Sequence, residues 1–323
     1  NELQEGVINL IVAPTGSGKA LQNGTGVLTP TGYKPIESLV LGEEIFGDDG
    51  KIYNVSGIYP QGKKEKVIVS FSDGTQIPCS EDHLWNIQTS YQRGDKSLNW
   101  QTLSLKEIVE KYPLKVKTGN TWKKHIYIPM VKPLEFEFKE VPIDPYLLGV
   151  LLGDGGLSDA GRAITFSGLD LEIVELIQPS LEKLGAKLEK VSESIKHPDY
   201  RIKSFEKYKH TQLRPALKSL GILGAKSNNK FIPDVYKYNS KEVRLAILQG
   251  LIDTDGYCPG SSYEFVSVSK QLAEDVKFLC ESLGLTATIV EKQPMFTYKE
   301  EYKKGQIAYR LRIKTSTEIS KIH

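Results

Sequence analysis

Two carboxylates stand at equivalent places in two similar stretches of this 323-residue sequence. Asp154 ends the apolar run that begins at Tyr146, Asp255 ends the run that begins at Ala246, and a glycine follows each acid. Carboxylates that meet beside a phosphate can hold Mg²⁺ ions, which activate water and stabilise the leaving oxygen. The chemistry would be metal-assisted hydrolysis of a phosphodiester, provided that the fold brings the two acids together.

A second candidate group surrounds residue 80. Ser80 precedes His83 by three residues, and Trp85 follows that histidine by two. An imidazole beside a peptide bond can hydrogen-bond the amide and protonate its leaving nitrogen, and a nearby hydroxyl can support the same group. A histidine at a strand end is more often a core or turn residue, and Trp85 could equally be a core aromatic. On these residues alone both interpretations stay open.

A glycine-rich loop follows the first apolar run. Segment 6–13 is typical of a buried parallel strand, and Ala-Pro-Thr-Gly-Ser-Gly-Lys follows at residues 13–19. Such a loop can cradle phosphates, with Lys19 reaching the terminal ones. The expected Ser or Thr is replaced by Ala20, and the glycines of 21–27 do not favour a helix. We therefore interpret residues 1–19 as part of an ATP-binding protein that an insertion interrupts.

The elements that must position these residues differ along the chain. Short strands and turns dominate from Gly26 to about Phe138, which predicts an all-β domain. One helix is predicted within it at residues 104–111, with Ser104 as N-cap and Glu107 completing a capping box. Apolar helices follow beyond residue 138.

The second part of the chain contains an internal duplication. Each apolar run is followed by a strand, a helix and a Leu-Gly pair, at residues 164–185 in the first copy and 265–284 in the second. Gly149 and Gly250 would let the two apolar helices approach closely. The helix ends would then place Asp154 and Asp255 together near a pseudo-twofold axis.

Composition and charge exclude several classes of protein. With 39% hydrophobic and 25% charged residues, the chain is typical of a folded protein of two domains. No apolar run approaches about 18 residues and no signal peptide is recognisable, so we expect no membrane partner. Three widely spaced cysteines suggest neither a disulfide framework nor a metal site, which fits the cytoplasm. Cys79, Cys258 and Cys280 are expected to be buried or inert. Basic stretches at 201–230 and 292–314 could follow DNA phosphates or be solvated loops.

Residues 24–36 and 74–83 resemble sequence blocks of the intein splicing domain, an all-β, horseshoe-like fold called Hint. The resemblance implies autocatalytic protein splicing, with Ser80, His83 and Trp85 at the splicing site and Ala20 as the first intein residue. Most inteins begin with Cys or Ser, because that side chain performs the first acyl shift. Ala20 therefore indicates either an engineered substitution or the natural class 3, in which a Trp follows the histidine by two residues. We favour the natural class.

Residues 248–256, Leu-Gln-Gly-Leu-Ile-Asp-Thr-Asp-Gly, resemble the LAGLIDADG motif at seven of nine positions. The resemblance implies an α+β homing endonuclease that acts as a monomer on double-stranded DNA and holds Mg²⁺ at Asp154 and Asp255. Each repeat's sheet would lie in the major groove. Lys230, in Lys-Phe-Ile-Pro, resembles the family's active-site lysine, and Lys314 could be its partner in the second repeat. Asp253 is assigned to the helix rather than to catalysis.

The combined prediction is a multi-domain chain with three parts. Residues 1–19 would be a fragment of a helicase-like ATPase, residues 20–138 the splicing domain, and residues 139–323 the endonuclease, with repeats at about 144–240 and 241–323. No splicing strands or final Asn appear before His323, so we expect splicing to need a C-terminal intein segment, in cis or as a separate chain. The DNA partner would be the host gene without the intein. Two alternatives are a DNA-binding protein on the same scaffold without cleavage and a P-loop ATPase.

Overall fold

The structure is a computed structural model that describes residues 7–11, 21–94, 100–159, 163–168, 170–191, 199–206, 210–258, 262–298, 301–315 and 319–321. The chain divides into two compact units, residues 1–135 and 136–323, each with its own hydrophobic cluster. The division lies close to the predicted boundary after residue 138. No helix in the described ranges has both the length and the apolar character needed to cross a membrane.

The N-terminal unit consists of short strands and one α-helix, α1 (Leu105–Lys111). Its strands are β1 Val7–Ile11, β2 Leu21–Gln22, β3 Gly26–Thr29, β4 Gly32–Pro35, β5 Glu44–Phe46, β6 Ile52–Asn54, β7 Gly57–Pro60, β8 Val67–Ser70, β9 Gln76–Cys79, β10 Leu84–Thr89, β11 Gln101–Ser104, β12 Lys115–Thr118, β13 Thr121–Lys124 and β14 Ile126–Tyr127. They form several small sheets, of which the largest in the described residues has the order β7-β1-β2-β9-β8.

The predicted helix of this unit is confirmed together with its start signal. The Ser104 hydroxyl accepts a hydrogen bond from the Glu107 amide at 3.2 Å, and the Glu107 carboxylate accepts one from the Ser104 amide at 2.8 Å. This reciprocal pair satisfies two amides that the first turn leaves without helical partners. The predicted parallel direction of the first strand is wrong, because β1 pairs antiparallel with both β2 and β7. An apolar run indicates a buried strand but does not fix the direction of its neighbours.

The C-terminal unit contains two copies of one arrangement. The first copy comprises α2 Pro145–Asp154, β15 Gly155–Gly156, β16 Ile164–Ser167, α3 Leu171–Lys183, β17 Ala186–Lys190 and β18 Asp199–Ser204. Helices α4 (Leu213–Ser219) and α5 (Asp234–Lys237) follow. The second copy comprises α6 Lys241–Asp255, β19 Gly256–Tyr257, β20 Ser262–Ser267, α7 Lys270–Ser282, β21 Thr286–Lys292, the hairpin strands β22 Met295–Tyr298 and β23 Glu301–Lys304, and β24 Ala308–Lys314.

The two sheets of this unit have corresponding strand orders, β15-β16-β18-β17 and β19-β20-β24-β21, which confirms the internal duplication. The repeated Leu-Gly pairs also have a common structural reason. Leu184 and Leu283 cap α3 and α7, and the glycine after each has a φ of +67° (Gly185) or +79° (Gly284). A helix commonly ends with a residue in this left-handed conformation, which glycine adopts without a steric penalty.

Candidate active site

Helices α2 and α6 contact each other through glycine. A methyl group on Gly149 would lie 2.4 Å from the Ile247 carbonyl oxygen, and one on Gly250 would lie 2.4 Å from the Tyr146 carbonyl oxygen. A methyl carbon cannot lie so close to an oxygen to which it is not bonded. The two helix backbones can therefore approach this closely only because both positions are glycine. The start of α2 is fixed by Asp144, whose carboxylate accepts a hydrogen bond from the Leu147 amide at 3.0 Å.

Each of the two helices ends at one of the predicted catalytic acids. Asp154 is the last residue of α2 and Asp255 the last residue of α6. The glycine after each acid lies close against its own helix. A methyl group on Gly155 or Gly256 would lie 2.3 Å from a carbonyl oxygen of the preceding turn. The Asp-Gly pair therefore lets the chain leave each helix directly into a short strand while the carboxylate stays at the helix end.

The two carboxylates and Lys230 form one electrostatic cluster. Loss of hydration and the neighbouring charge of Asp255 raise the pKa of Asp154 to about 6, while Lys230 acts in the opposite direction. Loss of hydration around its carboxyl also raises the pKa of Asp255, which Lys230 partly offsets. Asp154 is half-buried and Asp255 is exposed. The structure thus places these three residues, which are distant in sequence, at one site.

The Lys230 side chain is buried at the end of α2. Its ammonium donates hydrogen bonds to the carbonyl oxygens of Gly153 at 2.8 Å, Gly155 at 2.9 Å and Leu151 at 3.4 Å. Burial lowers the pKa of Lys230, whereas the two aspartates raise it. A cation at a helix C-terminus is favourable, since carbonyl groups there lack helical partners.

The loop that carries Lys230 is tied to the start of α7. The Ser269 hydroxyl donates a hydrogen bond to the Lys230 carbonyl oxygen at 2.6 Å. Two residues later, the Ile232 amide donates one to the buried Asp275 carboxylate at 2.8 Å, and the Lys237 ammonium donates another at 2.9 Å. Elements of the second repeat therefore hold the lysine that reaches the helix of the first.

The donor set fits a hard divalent cation. Loss of hydration raises the pKa of both carboxyls, and the charge of Asp255 adds to the rise at Asp154, so a cation beside them would stabilise both anions. In the described part of the chain no group of three or more His, Cys, Asp or Glu residues could hold a metal ion. A cation at Asp154 and Asp255 would therefore complete its shell with water and substrate oxygens, as Mg²⁺ commonly does.

The neighbouring Asp253 has a different environment. Its buried carboxylate accepts hydrogen bonds from the Tyr146 hydroxyl at 2.8 Å, the Ser320 hydroxyl at 2.6 Å and the Lys321 amide at 3.1 Å. Tyr146 belongs to α2, so Asp253 links the two glycine-contacting helices and secures segment 319–321 beside them. The sequence-based assignment of Asp253 to the helix agrees with this geometry.

The outward face of the second sheet carries a charged network that sequence reasoning missed. Glu264 on β20 pairs with Arg310 at 2.8 Å and Arg312 at 3.2 Å, both on β24. Lys314, predicted to partner Lys230, lies exposed on the same face, because alternate residues of a strand point to the same side. The first sheet carries the smaller pair Glu189 and Lys203. The alternation of arginine and apolar residues along β24 was the signal available in the sequence.

In the N-terminal unit the predicted splicing residues are neighbours. Ser80 is buried, and within the described residues its hydroxyl has no hydrogen-bond partner. Its carbonyl oxygen accepts a hydrogen bond from the His83 amide at 3.0 Å, and the rings of His83 and Trp85 meet edge to face at 5.1 Å. Ala20 lies outside the described residues. Leu21, which follows it, pairs directly with Cys79 across β2 and β9.

The three cysteines have different environments. Burial raises the pKa of Cys79 to about 11, although the Trp85 indole acts in the opposite direction. A thiol with so high a pKa is a poor nucleophile at neutral pH. Cys280 is also buried, whereas Cys258 is exposed. Cys258 directly follows β19, the short strand that comes after α6.

Comparisons with known proteins agree with part of this description. Residues 242–322 match the family model of a LAGLIDADG-like domain. The chain is 26% identical over 323 residues to the replicative DNA helicase DnaB of Mycobacterium intracellulare, covering 96% of this chain and 50% of that protein. It is 25% identical to the ATP-dependent DNA helicase Hel308 of Thermococcus kodakarensis, covering 88% of this chain and 29% of that protein. The chain thus spans half or less of the length of these relatives.

Solved structures similar to the C-terminal part include I-DmoI, a homing endonuclease. Its complex with DNA and Ca is 16% identical, with 56% of this chain and 93% of that chain covered and a TM-score of 0.37. Full-length DUF199/WhiA from Thermatoga maritima is 13% identical, with 54% and 51% covered and a TM-score of 0.35.

Proposed function

We propose that the C-terminal unit is a site-specific, metal-dependent DNA endonuclease of the LAGLIDADG type. The observation that carries this proposal is the convergence of Asp154 and Asp255, one from each repeat, at the ends of two helices that contact each other through glycine. The match of residues 242–322 to a LAGLIDADG-like domain supports it independently.

Each residue of the site has a definite task in this reaction. Asp154 and Asp255 would hold the divalent cations, which would activate water and stabilise the leaving 3′-oxygen. Lys230 keeps positive charge beside the two acids and offsets part of the rise in their pKa values, which favours their ionised forms. The outward faces of the two sheets bind duplex DNA, and Arg310 and Arg312, oriented by Glu264, are suited to guanine edges in the major groove.

The test is cleavage of duplex DNA that carries the uninterrupted host gene, in the presence of Mg²⁺. We expect wild type to cut it and the double variant Asp154→Asn with Asp255→Asn to lose about 10³-fold in rate while retaining binding. Asp170→Asn is the matched control, because Asp170 is exposed and its side chain makes no capping hydrogen bond to α3.

The outcomes separate the alternatives. Specific binding without cleavage by wild type would favour a DNA-binding protein on the same scaffold. Full cleavage by the double variant would reject the assigned acids. Nucleotide binding at micromolar affinity would instead favour a P-loop ATPase.

For the N-terminal unit we propose the N-terminal part of an intein splicing domain, inserted into a helicase-like host. The proposal is supported by the grouping of Ser80, His83 and Trp85 beside the strand that follows Ala20. The match of 96% of this chain to a protein named a replicative DNA helicase suggests the host. His83 would protonate the departing amide nitrogen, with Ser80 in support. Ala20 has no nucleophile, so the attacking group would come from a C-terminal intein segment.

Restoring a nucleophile tests this assignment. With a C-terminal intein segment supplied, we expect wild type to release the fragment 1–19, as detected by intact-mass spectrometry, and His83→Ala to abolish the release. If release occurred only after Ala20→Cys, an engineered substitution would explain Ala20 better than the natural class. If neither protein released the fragment, the splicing assignment would fail.

A further inference from the structure

A lysine-rich segment of the N-terminal unit has no role in the functions proposed above. Residues 111–134 contain six lysines and no Asp, Glu or Arg. Four of the lysines lie on the hairpin β12–β13, where strands Lys115–Thr118 and Thr121–Lys124 pair as a two-stranded sheet. We call this segment, residues 115–124, the lysine hairpin.

One face of the lysine hairpin concentrates its charge. Lys115 is directly opposite Lys124, and Lys117 is directly opposite Trp122, so these four side chains share a face. All four are exposed, and Trp122 retains 68% of its accessible surface. Like charges directly opposite each other destabilise a hairpin, and an exposed indole gains nothing from burial. The arrangement is thus unfavourable for the isolated fold.

Hydrogen bonds of His125 nevertheless fix the base of the lysine hairpin to other residues of the N-terminal unit. His125 directly follows β13 and is buried, and its amide donates a hydrogen bond to the Leu114 carbonyl oxygen at 3.1 Å. The Ser90 hydroxyl and His125 Nδ1 lie 2.7 Å apart, and the Ser90 amide donates to the His125 carbonyl oxygen at 2.8 Å. An isolated two-stranded hairpin is marginal in water, so this anchorage keeps the charged face presented.

The lysines of this hairpin are available for a partner. Among the described residues, Lys115, Lys117, Lys123 and Lys124 form no ion pair, whereas Lys34 and Lys64 of the same unit do. We propose that the lysine hairpin is an auxiliary DNA-binding arm that contacts the phosphate backbone of duplex DNA outside the endonuclease unit. Part of this inference rests on the proposed function, because that function makes duplex DNA the polyanion that this chain engages.

The chemistry favours a phosphate backbone over an acidic protein surface. Lysine is a flexible point charge that suits evenly spaced phosphates without base reading. Neutralising each phosphate releases counterions, so binding weakens steeply with salt, with a slope of about 0.9 per contact in a log–log plot. Trp122, opposite Lys117, would pack against the sugar edge and be shielded when DNA binds.

The experiment measures DNA affinity of the full chain over a series of salt concentrations. The probe is a fluorescent duplex without a target site, and the variant is Lys115→Gln, Lys117→Gln, Lys123→Gln and Lys124→Gln together. We expect the salt slope to fall by about 2 to 4 and the affinity at low salt to fall by about tenfold or more. The matched control replaces Lys51, Lys63, Lys66 and Lys106, four exposed lysines of the same unit, with Gln and should leave the slope unchanged.

A second readout does not depend on the quadruple variant. Iodide quenching of tryptophan fluorescence should decrease when the duplex binds wild type, and Trp122→Phe should remove this protection. The proposal would be overturned if the salt slope of the hairpin variant were unchanged, or if the control variant lost as much duplex affinity. It would also be overturned if the hairpin variant lost affinity only for a single-stranded RNA probe measured in the same way.

Cleavage of the host-gene duplex is followed in parallel and separates the two proposals. If the endonuclease assignment fails, no variant cleaves, but the salt slope still reports the hairpin. If only the hairpin proposal fails, cleavage persists and the slopes of the two quadruple variants coincide.

Discussion

The two repeats of the C-terminal unit share a topology but differ in how their acids are supported. Both helices end at an Asp-Gly pair, and in both a methyl group on the contacting glycine would lie 2.4 Å from a carbonyl oxygen of the opposite helix. In the described residues, by contrast, the Lys230 ammonium donates its hydrogen bonds to carbonyl groups around the end of α2. Aligned on the contacting glycines, Asp253 of the second repeat corresponds to the buried Leu152 of the first. The glycine contact is thus common to both copies, whereas the polar residues near the two acids differ.

The sharpest test of this comparison is to neutralise one acid at a time. We expect Asp154→Asn and Asp255→Asn each to reduce linearisation of a target plasmid by about 10³-fold, because in the proposed mechanism each repeat supplies one of the two carboxylates that would hold the cations. Supercoiled, nicked and linear forms are separated by gel over a time course. The equivalence of the two acids fails if either variant linearises the plasmid at the wild-type rate.

Substitutions of Lys230 and Lys314 should differ clearly in their effects on the cleavage rate. We expect Lys230→Met to slow cleavage by about 100-fold, because three carbonyl oxygens lose their donor and the acids lose a neighbouring positive charge. The midpoint of the pH–rate profile should move to higher pH, since removal of a cation raises the pKa of a carboxyl group. Lys314→Met, on the exposed sheet face, should change the rate by about threefold or less. Equal effects of the two changes would contradict the asymmetry.

The glycines test the part of the comparison that is symmetric. Gly149→Ala and Gly250→Ala should each destabilise the C-terminal unit by about 1 to 3 kcal/mol, because a methyl group would collide with backbone of the opposite helix. Denaturant unfolding measures both, and Gln249→Ala, next to Gly250 on α6, should stay within about 0.5 kcal/mol. Tolerance of either alanine would show that the helices can separate without cost.

The smallest expected effect concerns stability and pH in the absence of metal. The pKa of Asp154 is raised from 3.8 to about 6 in the folded chain, so stability falls as pH rises from the lower to the higher value, because only the unfolded state has lost the proton in that window. Asp154→Asn should therefore be more stable than wild type above pH 6 by about 1 kcal/mol, or about 2–4 °C in Tm. The difference should vanish below the unfolded-state pKa of 3.8, where the carboxyl is protonated in both states. A constant difference across this range, or the same trend in Asp170→Asn, would contradict the cause.

Local signals predicted much of this molecule. The capping box at Ser104, the duplicated helices with their contacting glycines and the Leu-Gly caps follow from patterns a few residues long. Lys230 was predicted from its motif, but its carbonyl acceptors lie more than 70 residues away, and no spacing rule reports such contacts. The direction of β1 relative to its neighbours depends on β2 and β7, which lie later in the chain. The horseshoe-like Hint fold of the N-terminal unit remains a prediction.

The hydrogen bonds of Lys230 also limit which groups its ammonium can contact before DNA binds. An ammonium group carries three N–H bonds, and the three carbonyl oxygens of Leu151, Gly153 and Gly155 accept all of them. In this conformation the lysine can act through its charge but has no hydrogen left to donate to a phosphate. Direct contact with DNA would require it to release at least one carbonyl, most readily the 3.4 Å bond to Leu151. In the proposed reaction, DNA binding would then be coupled to a local loosening of the end of α2, the same helix end that carries Asp154.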